Sequence, residues 1–161
     1  MEKIKVIFLD IDGVLRLVTG NSFDKKCVDN INKLVKETGA KIVISSTWRR
    51  NGLEAVKEFL EKYEIEGIFD MTPIFNVLKV YPTEDWNNQF KPPRGMEIRE
   101  WLRNYTNMDR YVESYVIIDD SEDMLLNQLS HYVKVEQTKG FDNKCLKKAI
   151  EILKIINIPT I

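Results

Sequence analysis

Lys5-Val-Ile-Phe-Leu-Asp-Ile-Asp-Gly-Val-Leu15 decides how the chain is read. Lys5 to Leu9 is a short, nearly unbroken apolar run with β-branched and aromatic members. Such a run suits a strand covered on both faces, as central strands of parallel sheets are. The run ends abruptly in Asp10, Ile11, Asp12 and Gly13. Two carboxylates and a glycine directly beyond a buried strand place charge and a turn at one end of the sheet.

Working outward, the pattern alternates. Residues 13–22 are a loop or small hairpin with Gly13, Gly20, Asn21 and Ser22. Asp24 to Thr38 has helical spacing through Cys27, Val28, Ile31, Leu34 and Val35, and Gly39 supplies the stop. Lys41 to Ser45 is a second buried strand. Leu53 to Tyr63 predicts a helix with Val56, Phe59, Leu60 and Tyr63 on one face, and Ile65 to Phe69 a third strand. Met96 to Tyr105 is helical with Ile98, Trp101, Leu102 and Tyr105 inward. Tyr115 to Ile118 is a strand, Asp123 to Leu129 a short helix, Tyr132 to Val135 a strand, and Asn143 to Ile156 a final helix. Strands alternating with helices imply right-handed βαβ units, a mainly parallel Rossmann-like sheet and an α/β three-layer sandwich. Residues 72–93 break the pattern. They hold Pro73, Pro82, Pro92 and Pro93 with Phe75, Tyr81, Trp86 and Phe90, and form an excursion from a single domain spanning 1–161.

Composition narrows the function. Apolar residues are 43% of 161, charged residues 30%, and the net charge is −1, so neither disorder nor a general polyanion-binding surface is implied. A nucleic-acid partner would be held locally. Cys27 and Cys145 form no CxxC pair, and a disulfide framework is not expected. His131 is the single histidine and is read as an edge-of-strand residue, which removes two-histidine metal sites. No apolar run nears the roughly 18 residues that span a bilayer, and no secretory leader is visible, so a cytoplasmic protein without a membrane partner is expected.

Ligands of parallel sheets bind at the carboxyl ends of strands. There the chain places Asp10 and Asp12, then Ser45, Ser46, Thr47, Trp48, Arg49 and Arg50, then Asp119, Asp120 and Asp123. Arg94-Gly95 opens the helix leading to the last of these strands. Clustered carboxylates repel unless compensated, and Mg²⁺ is the hard cation that accepts carboxylates together with phosphate oxygens. A hydroxyl and a guanidinium opposite them suit a phosphoryl group, so the chemistry implied is phosphoryl transfer.

These residues resemble a known family. Phe8-Leu-Asp-Ile-Asp-Gly-Val-Leu15 is similar to the first motif of the haloacid dehalogenase superfamily, and Val43-Ile-Ser-Ser-Thr47 to its second. Arg94-Gly95 stands where many members have Lys-Gly, and Ile117-Ile-Asp-Asp120 with Asp123 resembles the acidic fourth motif. Order and spacing agree over roughly residues 4–136. The resemblance implies that Asp10 attacks phosphorus and that Asp12 protonates the leaving group and later activates water. Ser45 or Ser46, with Arg94 or Lys91, would hold phosphoryl oxygens. Asp10, the backbone carbonyl of Asp12, and Asp120 would bind Mg²⁺, with Asp119 direct or through water and Asp123 a reserve ligand or orienting residue. An acid at Asp12 suits ester hydrolysis. ATPases of the superfamily usually carry Thr there, and dehalogenases lack the Asp.

Cap insertions distinguish members. About 33 residues separate Asp12 from Ser45, and a helix and hairpin use them. Residues 72–93 are too few for a full cap domain, so an open site that admits polymer ends is expected. Ser45-Ser-Thr-Trp-Arg49, Arg94-Gly-Met-Glu-Ile-Arg-Glu-Trp-Leu102 and Ile117-Ile-Asp-Asp-Ser-Glu-Asp-Met124 further resemble the phosphatase domain associated with Swiss-army-knife RNA repair proteins and, more distantly, polynucleotide kinase-phosphatases. That resemblance implies a phosphorylated substrate such as a nucleotide or nucleic-acid terminus. The rivals are a phosphatase of small metabolites or phosphoproteins and a non-catalytic phosphate-binding module. Arg49 is either a solvated charge or a substrate contact. Trp86 and Phe90 either pack the excursion or stack on a base.

Overall fold

The computed structural model describes residues 2–20, 22–75, 78–79, 89–90, 92–107 and 109–156, with backbone only at 78–79 and 89–90. Its frame is a five-stranded sheet of β1 (Glu2–Leu9), β2 (Lys41–Ile44), β3 (Ile68–Met71), β6 (Arg110–Asp119) and β7 (Tyr132–Lys134). The order is β3-β2-β1-β6-β7 and every pairing is parallel. A two-residue antiparallel hairpin, β4 (Leu78–Lys79) with β5 (Gln89–Phe90), stands apart from it.

Alternation along the strands makes two cores. Ile7, Leu9, Ile42, Ile44, Val116 and Ile118 face helices α1 (Lys25–Thr38), α2 (Leu53–Glu61) and α4 (Asn143–Lys154). Val6, Phe8, Val43 and Ile117 face α3 (Arg94–Tyr105) through Ile98, Trp101 and Leu102. The α/β sandwich is thus as expected, and no cap domain stands among the described residues. Asp24 caps α1 by accepting the Cys27 N–H at 3.0 Å, and Asp142 caps α4 by accepting the Cys145 N–H at 2.9 Å.

The differences from the expected elements have local causes. Helix α2 stops at Glu61. Glu64 and Gly67 then take positive φ (59° and 80°), so β3 starts only at Ile68, while Ile65 is buried as a loop residue. β6 runs from Arg110 because the polar first half of β1 pairs with it, Glu2 opposite Arg110, across a register shift after Ile4. The short helix expected at 123–129 is instead a 3₁₀ turn at Leu126–His131. Leu126 is 86% exposed there, and Asp123 and Gln128 are spent on the start of α3. His131 is buried at the end of that turn, donating from Nδ1 to the Tyr115 carbonyl at 3.1 Å and stacking on the Tyr115 ring. Both cysteines are free thiols. No helix among the described residues is long and apolar enough to cross a membrane.

Candidate active site

The sheet brings the predicted strand ends together. β1 lies between β2 and β6, with Leu9 opposite both Ile44 and Ile118. The next backbone bonds continue that pairing: Asp10 N–H donates to Ile118 O and Ser45 N–H to Leu9 O, each at 3.0 Å. Carboxylate oxygens of Asp10, Asp119 and Asp120 lie within 4.8 Å of one another. Arg94, first residue of α3, enters from the α3 face. Its Nη1 is 3.0 Å from Asp10 Oδ1 and 2.5 Å from Asp119 Oδ2.

The electrostatics follow from burial. Asp10 is 5% exposed and Asp119 fully buried. Desolvation, and then the neighbouring charge of Asp119, push the Asp10 carboxyl up to about 7 against the opposing pull of Arg94. Burial likewise raises Asp119, opposed by Arg94 and by bonds from Ser121. Burial lowers the Arg94 guanidinium, but Asp119 and Asp10 outweigh it and hold the group above its ordinary value. The Arg94 guanidinium thus pairs with two of the three clustered carboxylates. Such an acidic, oxygen-only donor set fits a hard divalent cation.

Two glycines make room for this arrangement. Gly13 has φ +79°, and a Cβ there would lie 2.4 Å from Asp120 Oδ2. Asp120 is steadied by the Gln137 amide at 2.6 Å. A Cβ on Gly95 would lie 2.4 Å from Gln128 Oε1 and 2.6 Å from the Leu125 nitrogen. Gln128 donates to Gly95 O at 2.8 Å, which seats the start of α3 against the loop after β6. The Asp-Gly and Arg-Gly pairs visible in the sequence therefore reflect close packing at the site.

The remaining candidates have varied placements. Ser45 is fully buried and its Oγ makes no hydrogen bond among the described residues. Ser46 is also fully buried; its hydroxyl accepts the Trp48 N–H at 3.4 Å and, lying beside Asp10, helps draw that carboxyl down. Asp12 is exposed and outside the carboxylate cluster, its Oδ2 accepting from Trp48 Nε1 at 2.8 Å and its Oδ1 facing Arg16 Nη1 at 3.2 Å. Asp123 supplies the cap that Pro93 cannot. Its Oδ2 accepts the Arg94 N–H at 2.9 Å and its carbonyl the Gly95 N–H at 3.1 Å. Burial opposes ionisation of Asp123, but those bonds and the Ser121 hydroxyl hold its carboxyl below the ordinary value.

Arg49 is neither a solvated charge nor turned outward. It is 5% exposed, donates from Nη1 to the carbonyls of Ser45 and Ser46 at 2.6 and 2.7 Å, and forms an ion pair with buried Glu97 of α3. The chain's turn toward α3 buries it, because the strand-end carbonyls need donors there. Exposed Arg50 and the edge of Arg49 join Thr47, Phe75, Pro92 and Arg94 around a small pocket at the rim. Lys91 and Trp86 lie outside the described residues, and of Phe90 only the backbone is described. Sequence reasoning missed Glu97, Gln137 and the Trp48 bond. Only the bond from Ser121 N–H to Asp119 Oδ1, at 2.9 Å, had a local signal, the Asp-x-Ser turn.

A parallel sheet with an Asp-x-Asp-Gly turn, a buried strand-end serine, a helix-borne arginine and a closing Asp pair defines a hydrolase domain of the haloacid dehalogenase (HAD) type. More narrowly, residues 6–146 match the family model described as the HAD domain in Swiss Army Knife RNA repair proteins, and the chain belongs to that family. The family supports a phosphatase acting on a phosphorylated substrate. No curated protein and no solved structure matches the chain.

Proposed function

We propose that the protein is a Mg²⁺-dependent phosphomonoesterase that works through an aspartyl-phosphate on Asp10 and acts on a nucleotide or nucleic-acid terminal phosphate. The observation that carries it is the convergence of Asp10, Asp119 and Asp120, two of which, Asp10 and Asp119, pair with the guanidinium of Arg94. The side chains of Asp10, Asp119 and Asp120, with the backbone carbonyl of Asp12, would hold Mg²⁺, which would neutralise charge on the phosphoryl oxygens. Asp123, committed to the start of α3, orients rather than ligates.

In the first half-reaction an Asp10 carboxylate oxygen bonds to phosphorus as the bond to the leaving oxygen breaks, and Asp12 gives that oxygen a proton. In the second, Asp12 takes a proton from water, whose oxygen bonds to phosphorus and frees Asp10. Arg94 and the unpartnered Ser45 hydroxyl supply donors for phosphoryl oxygens. The nucleic-acid reading rests on the family description and on the absence of a cap domain among the described residues.

The test is a substrate panel with Mg²⁺ or chelator: mononucleotides, 3′- and 5′-phosphorylated oligonucleotides, sugar phosphates and phosphopeptides. Turnover should need Mg²⁺, favour the nucleotide substrates, and fall by several orders of magnitude in Asp10→Asn. Preference for sugar phosphates or phosphopeptides would overturn the substrate, and binding without turnover would leave a phosphate-binding module.

A further inference from the structure

Asp12 poses a problem that the fold resolves. It is exposed, so nothing in the core sets its rotamer, yet a proton donor must be held within hydrogen-bond reach of the leaving oxygen. The hold comes from Trp48, 36 residues away, whose indole Nε1 lies 2.8 Å from Oδ2. The indole is itself fixed. Phe59 meets it edge-on at 4.9 Å between centroids and Phe23 at 5.9 Å. Trp48 sits in the 3₁₀ turn Thr47–Asn51, whose capping Ser46 lies beside Asp10 and helps draw its carboxyl down. One short turn therefore touches both the proposed nucleophile and the proposed acid.

We propose that Trp48 is a positioning residue for Asp12, fixing Oδ2 so that Oδ1 is the oxygen that exchanges the proton. This rests on the phosphatase reading above. Oδ2 is engaged by a donor that packing holds in place. Among the described residues Oδ1 meets only Arg16, 3.2 Å away across a half-exposed ion pair, an interaction that solvent weakens and substrate can displace. In phosphorylation of Asp10 the proton passes from Oδ1 to the leaving oxygen as its bond to phosphorus breaks. In hydrolysis Oδ1 takes a proton from the attacking water as the bond from phosphorus to Asp10 breaks, which restores both aspartates. The bond between Trp48 and Asp12 is solvent-exposed, so the fold depends little on it.

Trp48→Phe keeps an aromatic ring and removes the donor. Under Mg²⁺, kcat/KM should be measured for an alkyl phosphate and for p-nitrophenyl phosphate, whose leaving group needs little protonation. The alkyl value should fall about 10- to 100-fold while the aryl value changes less than about threefold. Trp48→Phe added to Asp12→Asn should cause little further loss, since the two act as one unit. Equal losses on both esters, or additive losses with Asp12→Asn, would overturn the proposal. So would a larger alkyl loss in Arg16→Gln than in Trp48→Phe. A readout independent of turnover is the Trp48 indole N–H resonance in an NMR spectrum, which should shift in Asp12→Ala. A resonance that does not move refutes the anchor itself, whereas a wild-type protein inactive on every phosphomonoester refutes the phosphatase reading with the anchor intact.

Discussion

Removing Glu97 probes how the second strand end is locked to α3. Glu97 and Arg49 are 48 residues apart, both nearly buried, and their carboxylate and guanidinium form an ion pair. Burial pulls the Arg49 guanidinium down from its ordinary value while Glu97 opposes it. In Glu97→Ala that charge remains buried with only the carbonyls of Ser45 and Ser46 as partners. Breaking a buried pair from one side costs about 3–5 kcal/mol. Glu97 Oε1 also accepts the Phe75 N–H at 3.0 Å, and losing that bond adds about 1 kcal/mol. For a chain of this size each kcal/mol moves Tm by roughly 2–4 °C, so a total loss of about 4–6 kcal/mol should lower Tm by roughly 8–24 °C. Denaturant unfolding monitored by circular dichroism gives the free-energy loss directly. The double replacement Arg49→Met with Glu97→Leu should recover much of it, because an apolar pair leaves no stranded charge. A Glu97→Ala protein destabilised by less than about 1 kcal/mol would refute the claim that this pair is buried and coupled.

The other predictions concern the carboxylate cluster. Gly13→Ala forces a Cβ against Asp120 and a side chain onto φ +79°, so a Mg²⁺ titration of activity should show affinity weakened about tenfold or more. Unchanged affinity would mean that Asp120 is no ligand. The Asp10 carboxyl, at about 7 against an ordinary 3.8, binds its proton more tightly in the folded chain than in the unfolded one. The contribution of Asp10 to the stability of the metal-free protein should therefore be fully present below about pH 4 and fall by up to about 4 kcal/mol as pH rises to 7. Asp10→Asn should flatten that slope, and a mutant with the wild-type slope in chelator would assign it elsewhere.

What the sequence alone determined is what depends on near neighbours. The apolar runs at β1 and β2, the Asp24 cap and the acids directly beyond β1 and β6 are legible because strand burial, capping and turns act over a few residues. Parallel order then requires those strand ends to share a rim, which is why the closeness of Asp10, Asp119 and Asp120 is legible in the sequence. The boundaries of β3 and of the 126–131 turn were misplaced because Ile65 is apolar as a packed loop residue and Leu126 although it faces solvent. Arg49 and Asp123 carry charges whose partners nothing local reveals. Only the tertiary structure decided that Arg49 turns inward to Glu97, that Trp48 holds Asp12, and that Asp123 caps a helix 29 residues earlier. The reason is physical. A side chain's hydrogen-bond capacity is written in its residue type, but its partner is whichever group the strand order places within about 3 Å, and that distance exists only once the sheet has formed.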